Sequence, residues 1–328
     1  MEIKREINRE IIEKLRSAKK LLLVSHIYPD VDTASSMLAM KLALLKVGKE
    51  VSCYNAHDLA PNLRFLKGSE GRFDKLHPKK KFDATVLLDA GTADRFGNIL
   101  DKPSRDRLGC IIKVDHHLTG DDISDLEFVD TKRSSTAELV AEIIKHYPIE
   151  LDQDIAMNIY SGIVSDTGSF RYSNTNSATF KCAATMLATG INTWDVAMNL
   201  YENRPVEEIR LLSRTLTTLE VSDSGKFASL IVTRKDMQEL GAEDYMLDGF
   251  VNFGRSIKGV EVSVLLSEKE DGMVKISMRS KGAVNVAEIA AAMGGGGHHN
   301  AAGFSKKGDI RKLREKLSKI AAEKLAKY

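Results

Sequence analysis

The sequence predicts an α/β protein: an N-terminal domain built on a parallel sheet, then a smaller α+β domain. Three observations predict it. In the first half, short apolar runs alternate with helix-periodic stretches, the pattern of strands joined by crossover helices. Several of those runs end on Asp or His, where open α/β sheets bind their ligands. After Gly190 the alternation gives way to a helical stretch and then to β-rich runs.

The elements follow in order. The opening "MEIKREINREIIEKL" is charged and helix-periodic, which argues against a signal peptide. "KLLLVSH" (20–26) reads as a buried strand, "TASSMLAMKLALLKVGK" (33–49) as a helix closing near Gly48, and "EVSCYN" (50–55) as the next strand. "ATVLLDA" (84–90) and "CIIKVDHH" (110–117) repeat the strand pattern. "SSTAELVAEIIKHY" (134–147) is amphipathic, and its "STAE" resembles a capping box. "LDQDIAMNIYSGIVSDTGSF" (151–170) is helical and runs into a loop with Asp166.

The segment 191–221 reads as helical with a break at Pro205, and Trp194 and Tyr201 are expected to pack that helical stretch. The predicted organisation is a catalytic domain over 1–190, a helical linker or hinge over 191–225 and a second domain over 226–328. The second domain holds strand-like runs at 227–233, 259–268 and 272–280, a helix at 284–293, a glycine run and a final helix. That last helix is basic, with nine Lys or Arg against three acidic residues from Lys306 to Lys327. Leu313, Leu317 and Ile320 share one face of it, so the charge reads as a solvated surface rather than an RNA grip.

The totals exclude several classes. A net charge of +2 over 328 residues gives no overall nucleic-acid footprint. Cys53, Cys110 and Cys182 are far apart and odd in number, which argues against a disulfide framework or a cysteine zinc site and fits a reducing cytoplasm. No apolar run is long enough to cross a membrane.

The chemistry concentrates in four places: His26, Asp30 and Asp32; Asp89 in "LLDAG"; Asp115, His116 and His117 in "VDHH"; and Asp166 in "IVSDTG". Singly, each is ordinary, since an Asp after a strand is a common turn or cap residue. Together, so many carboxylates at one sheet edge would repel one another unless cations neutralise them. Mixed carboxylate and imidazole ligands suit manganese, magnesium, iron or zinc; the carboxylate excess favours manganese or magnesium, and the imidazoles favour manganese of those two. Asp89 is placed to bridge a pair of ions.

"SHIYPDVDTASS", "VLLDAG", "VDHH" and "SDTGSF" resemble the four motifs of the DHH phosphoesterase family, and "GGGGHHNAAGF" (294–304) resembles the signature of its DHHA1 accessory domain. Among its branches, the layout is similar to the stand-alone nanoRNase and pAp phosphatase enzymes. The resemblance implies two Mn²⁺ ions, with Mg²⁺ or another divalent ion as the alternative, at a sheet edge facing the DHHA1 domain across a cleft. It implies one ion on His26, Asp30 and Asp89 and the other on Asp32, Asp89, His116 and Asp166. Asp115 would orient an imidazole, and His117 would face the substrate phosphate. Two positions depart from the family pattern: Val31 replaces a common Gly, which predicts altered loop angles, and Ser35 replaces another.

Four glycines before "HHNAAG" suggest exposed backbone N–H groups that suit phosphate. Gly295, Gly296, Gly297 and His298, with Arg279 and Ser280 from "SMRSK" and Arg255 as a weaker candidate, form the expected substrate-binding set. The implied substrates are pApA, RNA of two to five nucleotides and pAp. Cyclic di-AMP phosphodiesterase activity and a non-catalytic nucleotide sensor are the alternatives. A homodimer is implied by the family alone.

Overall fold

The computed structural model describes residues 7–70, 79–101, 104–117 and 120–326. The chain divides into two compact units, Met1–Asn203 and Arg204–Tyr328.

The first unit begins with α1 (Arg9–Ser17) and holds β1 (Lys20–Ser25), α2 (Val31–Lys46), β2 (Glu50–Tyr54), β3 (Ala84–Leu88), β4 (Cys110–Asp115) and β5 (Leu126–Val129). The five strands form one parallel sheet in the order β2-β1-β3-β4-β5. α3 (Thr136–Ile144), α4 (Gln153–Asp166), α5 (Ser177–Leu187) and α6 (Thr193–Tyr201) follow. The alternation of side chains along β1 explains its continuous apolar run. Leu21 and Leu23 enter a core with Ile11 and Leu15 of α1, Met40 and Leu44 of α2 and Ile159 of α4. Leu22 and Val24 enter a second core on the opposite face, with Phe82, Phe96, Ile99 and Leu108.

α2 begins two residues earlier than expected. Asp30 is its N-cap and accepts the Thr33 N–H at 3.0 Å. Val31 is therefore already helical, and its backbone needs no positive φ. Its side chain is buried with Leu38, Leu63 and Leu66, so the departure from Gly adds to a core. The strained angle falls on Tyr28 instead, at φ +53°. β5 and α5 were not foreseen. β5 has only four residues, and α5 buries only Thr179, Ala183 and Met186, too few to impose a period.

The second unit contains α7 (Val206–Leu216), β6 (Glu220–Val221), β7 (Phe227–Val232), α8 (Arg234–Leu240), α9 (Val251–Ser256), β8 (Val262–Glu268), β9 (Met273–Ser280), α10 (Val286–Ala292), β10 (Gly296–His298), β11 (Ala301–Lys307) and α11 (Ile310–Leu325). Its sheet runs β10-β11-β9-β8-β7-β6, with β7 and β8 parallel and the other pairs antiparallel. α11 buries Ile310, Leu313, Leu317, Ala321 and Leu325. The helical break at Pro205 separates α6 from α7. Tyr201 hydrogen-bonds Ser169 at 3.0 Å, whereas Trp194 is 59% exposed and does not pack as expected.

α2 and α4 approach closely at Gly162, where an added Cβ would lie 2.6 Å from Ser35 Oγ and 2.7 Å from both Ala137 Cβ and Asp32 Oδ1. These neighbours are buried and come from two other helices, so they cannot yield independently. We predict that Gly162→Ala destabilises the protein by about 1–3 kcal/mol, read as a lowered thermal midpoint. An unchanged midpoint would show that the helices separate without cost.

Candidate metal centre

The strand order places the switch point of the sheet between β1 and β3, whose connections leave on opposite sides. The register aligns Ser25 with Leu88 and Leu88 with Val114. His26 and Asp89 each follow their strand by one residue, and Asp115 ends β4 beside them. Three ionisable side chains thus stand in a row at the C-terminal edge, and each is less than 5% exposed.

Asp89 is the hub. Its Oδ2 lies 3.7 Å from His26 Nε2, and its Oδ1 lies 3.5 Å from His116 Nε2. Asp30 Oδ2 stands 3.8 Å from the same His26 nitrogen, and Asp166 Oδ2 stands 3.6 Å from the same His116 nitrogen. These separations are too long for hydrogen bonds. They are the spacing that two ligands keep around one cation when each is about 2.0–2.2 Å from it. His26 Nδ1 contacts the Ile27 carbonyl at 2.8 Å, and His116 Nδ1 faces the Arg133 carbonyl at 3.4 Å, so in both rings Nε2 is turned toward the carboxylates. The donor atoms of His26, Asp30 and Asp89, and those of Asp32, Asp89 and His116, lie within 4.8 Å of one another. The set fits divalent cations.

Two helix starts hold the carboxylates. Thr33 in the first turn of α2 donates to Asp89 Oδ2, and Thr136 at the start of α3 donates to Asp89 Oδ1 at 2.8 Å. The Asp89 backbone takes φ +64°, uncommon for a residue with a side chain and frequent at functional sites. Asp32 is 1% exposed and accepts the N–H groups of Thr136 at 2.7 Å and Ala137 at 3.0 Å, so the N-terminus of α3 faces its charge. The "STAE" expectation is met in half. Ser135 caps Glu138 N–H, but the Glu138 carboxylate turns to Ser134 Oγ instead of closing the box. Thr33, Thr136 and the α3 N-terminus were missed. The cap signature was the available signal, but it did not say that the helix start faces the sheet edge.

The crowding has electrostatic consequences. Burial, and then the charges of Asp89, Asp166 and Asp30, push Asp32 well above the usual carboxylate range. Burial, with Asp89 and Asp30 and against His116, raises Asp166 to about 6. Burial opposes charge on His117, yet Asp115, whose Oδ1 lies 2.5 Å from His117 Nδ1, raises that imidazole to about 9. Asp115 stays below its usual range despite burial, because the same His117 contact dominates.

The expected substrate-binding residues lie in the second unit. Gly296 and Gly297 are not an open loop: β10 and β11 form an antiparallel hairpin, with Gly296 opposite Gly303 and Gly297 opposite Ala302. Gly295 is required by packing, since a Cβ there would meet Gly303 O at 2.2 Å. Gly297 has φ +140°. Gly296 is exposed, with nothing within 4 Å of an added Cβ. Arg279 is half-buried on β9, one strand inward, opposite Ala301. Ser280 is 2% exposed and donates to Asn300 Oδ1 at 3.1 Å, so its hydroxyl holds the hairpin turn that follows His298. Arg255 is half-buried on α9. No described helix is long and apolar enough to cross a membrane.

Comparison with known proteins agrees with this layout. Residues 20–163 match the DHH family N-terminal domain, and residues 225–323 match the DHHA1 domain. The chain is 32% identical over 321 residues to the bifunctional oligoribonuclease and PAP phosphatase NrnA of Thermus thermophilus, covering 97% of this chain and 94% of that one. It is 28% identical to the cyclic-di-AMP phosphodiesterase PdeA of Listeria monocytogenes, over 90% of this chain but only 46% of that protein. The crystal structure of an exopolyphosphatase-related protein from Bacteroides fragilis superposes with a TM-score of 0.88 at 27% identity, over 99% of this chain and 98% of that one. The chain belongs to the DHH family, in the form that joins a DHH N-terminal domain to a DHHA1 domain, and is a DHH-type phosphoesterase.

Proposed function

We propose that this protein is a manganese-dependent phosphodiesterase and phosphatase of very short nucleotides, hydrolysing pApA and RNA of two to five nucleotides to mononucleotides and pAp to AMP. The observation that carries the reading is the double-facing Asp89 carboxylate, one oxygen toward His26 and the other toward His116. His26, Asp30 and Asp89 would hold one ion, and Asp32, Asp89, His116 and Asp166 the other. Bound there, divalent cations supply Lewis acidity toward phosphoryl oxygens and a nucleophilic water near neutral pH.

The chain's own groups do the rest. Thr33 and Thr136 fix Asp89 so that neither oxygen can turn away from its histidine. Asp115 orients His117 and, by its charge and hydrogen bond, favours the protonated imidazole. With its side chain 25% exposed, His117 can direct a proton from Nε2 to a phosphoryl oxygen as charge develops. Arg279, Arg255, Gly296 and His298 supply cationic and backbone groups for a second phosphate or the nucleotide end, and Gly296 alone in its run has neither a close neighbour nor a positive φ that requires glycine. Ser280 acts by holding Asn300. The similarity to a cyclic-di-AMP phosphodiesterase supports ring opening of cyclic di-AMP as a second activity.

Product analysis tests the reading. With Mn²⁺, the protein should release AMP from pApA and pAp, chelator should abolish this, and Asp89→Asn should retain below about 1% of the rate. Asp115→Asn should fall only about 10–100-fold, as expected for a residue that orients rather than binds. No turnover of pApA, pAp or cyclic di-AMP with metal bound would replace the enzyme by a nucleotide sensor.

Metal binding should also depend on pH. Folded Asp166, raised to about 6, and Asp32, raised well above the usual carboxylate range, keep protons that the unfolded chain loses near pH 4. The contribution of these two groups to the stability of the metal-free protein therefore falls as pH rises from about 4 through about 6. Cations remove that repulsion, so the rise in melting temperature on adding Mn²⁺ should grow between pH 5 and pH 6.5. A pH-independent rise would mean that these carboxylates are already ionised without metal.

A further inference from the structure

The segment between His26 and Asp30 holds a feature that the metal centre does not use. Tyr28 is 66% exposed, although a ring of that size gains by burial, and its backbone takes φ +53°, which residues with a side chain rarely adopt. Its ring stacks on His57, with centroids 4.1 Å apart and planes 15° from parallel.

The stack is anchored to the strand end that carries His26. Asn55, 7% exposed, accepts the His57 N–H at 2.7 Å through Oδ1. Its Nδ2 donates to Ser25 Oγ at 2.7 Å and to the His26 carbonyl. One amide therefore fixes both the metal-facing histidine and the histidine that backs Tyr28. Strained backbone that holds an aromatic ring out in solvent, against a second fixed ring, is the arrangement that pre-forms a stacking surface.

Resting on the nucleotide-phosphoesterase reading above, we propose that Tyr28, backed by His57, is a platform on which a nucleobase of the substrate stacks while the neighbouring phosphate lies at the metal centre. Tyr28 is two residues from His26 and two from Asp30, so ring and ligands share one short loop. Every base presents a π-face, so such a platform binds without reading sequence, as an enzyme that clears short fragments of any sequence requires.

Steady-state kinetics and equilibrium binding test this with pApA and with two analogues, each carrying an abasic residue in place of one base. Tyr28→Ala should raise KM for pApA about tenfold or more, with kcat changed less than about threefold, and Tyr28→Phe should restore KM. Against the analogue that lacks the stacked base, the parent and Tyr28→Ala should have the same KM. Equal loss on all three substrates, or weaker Mn²⁺ binding by calorimetry, would reduce Tyr28 to a residue that shapes the metal loop. If the parent protein hydrolyses no nucleotide, the enzymatic reading fails separately. Binding of pApA with Ca²⁺ in place of Mn²⁺ then decides the platform, because Tyr28→Ala should weaken it by a similar factor and unchanged binding would overturn it.

Discussion

The structure turns on one carboxylate that must face two ways. Asp89 directly follows a central strand, takes a left-handed backbone and accepts a hydroxyl on each oxygen, from the first turn of α2 and from the first turn of α3. Those helices can reach it only because the strand order leaves a crevice between β1 and β3. The close contact of α2 with α4 at Gly162 then sets where Asp32 stands relative to α3. Moving any of these elements moves a donor atom, so sheet order, helix starts and helix packing answer to one geometric demand.

That demand has an electrostatic cost, which the fold offsets only in part. The α3 N-terminus faces Asp32 and two threonines serve Asp89, yet Asp32 and Asp166 remain raised. Crowded carboxylates that resist ionisation are poor structural ion pairs and good cation ligands. The Asp115–His117 pair behaves oppositely, since both groups are drawn toward the charged form. One strand edge therefore presents acceptors for cations and, beside them, a fixed positive group for an anion.

What was legible in the sequence follows from the same physics. His26, Asp89, Asp115 and His116 could be placed because each follows a run of buried apolar residues, and the period of that run fixes where the strand ends. The cradle around them was not legible, since a threonine on a helix start reads as a cap until the helix is known to face the sheet. Val31 shows the reverse error: a departure from the family pattern suggested a changed loop, but Asp30 caps α2 one residue earlier and Val31 enters a core. The glycine run has a packing role that the sequence did not show. Gly295 and Gly297 answer to a hairpin packed too tightly for side chains, which composition cannot distinguish from an open anion nest.

Strain in the chain is informative because it is unevenly distributed. Tyr28 and Asp89 have positive φ at two adjoining strand ends, while Val31, where strain was expected, has none. A loop selected only to hold cations would gain by placing Gly at position 28, which adopts that angle freely. A tyrosine there gives up that freedom and leaves its ring in water. His57 covers one face of the ring, and at the edge of a phosphoesterase centre a flat heteroaromatic base fits the other.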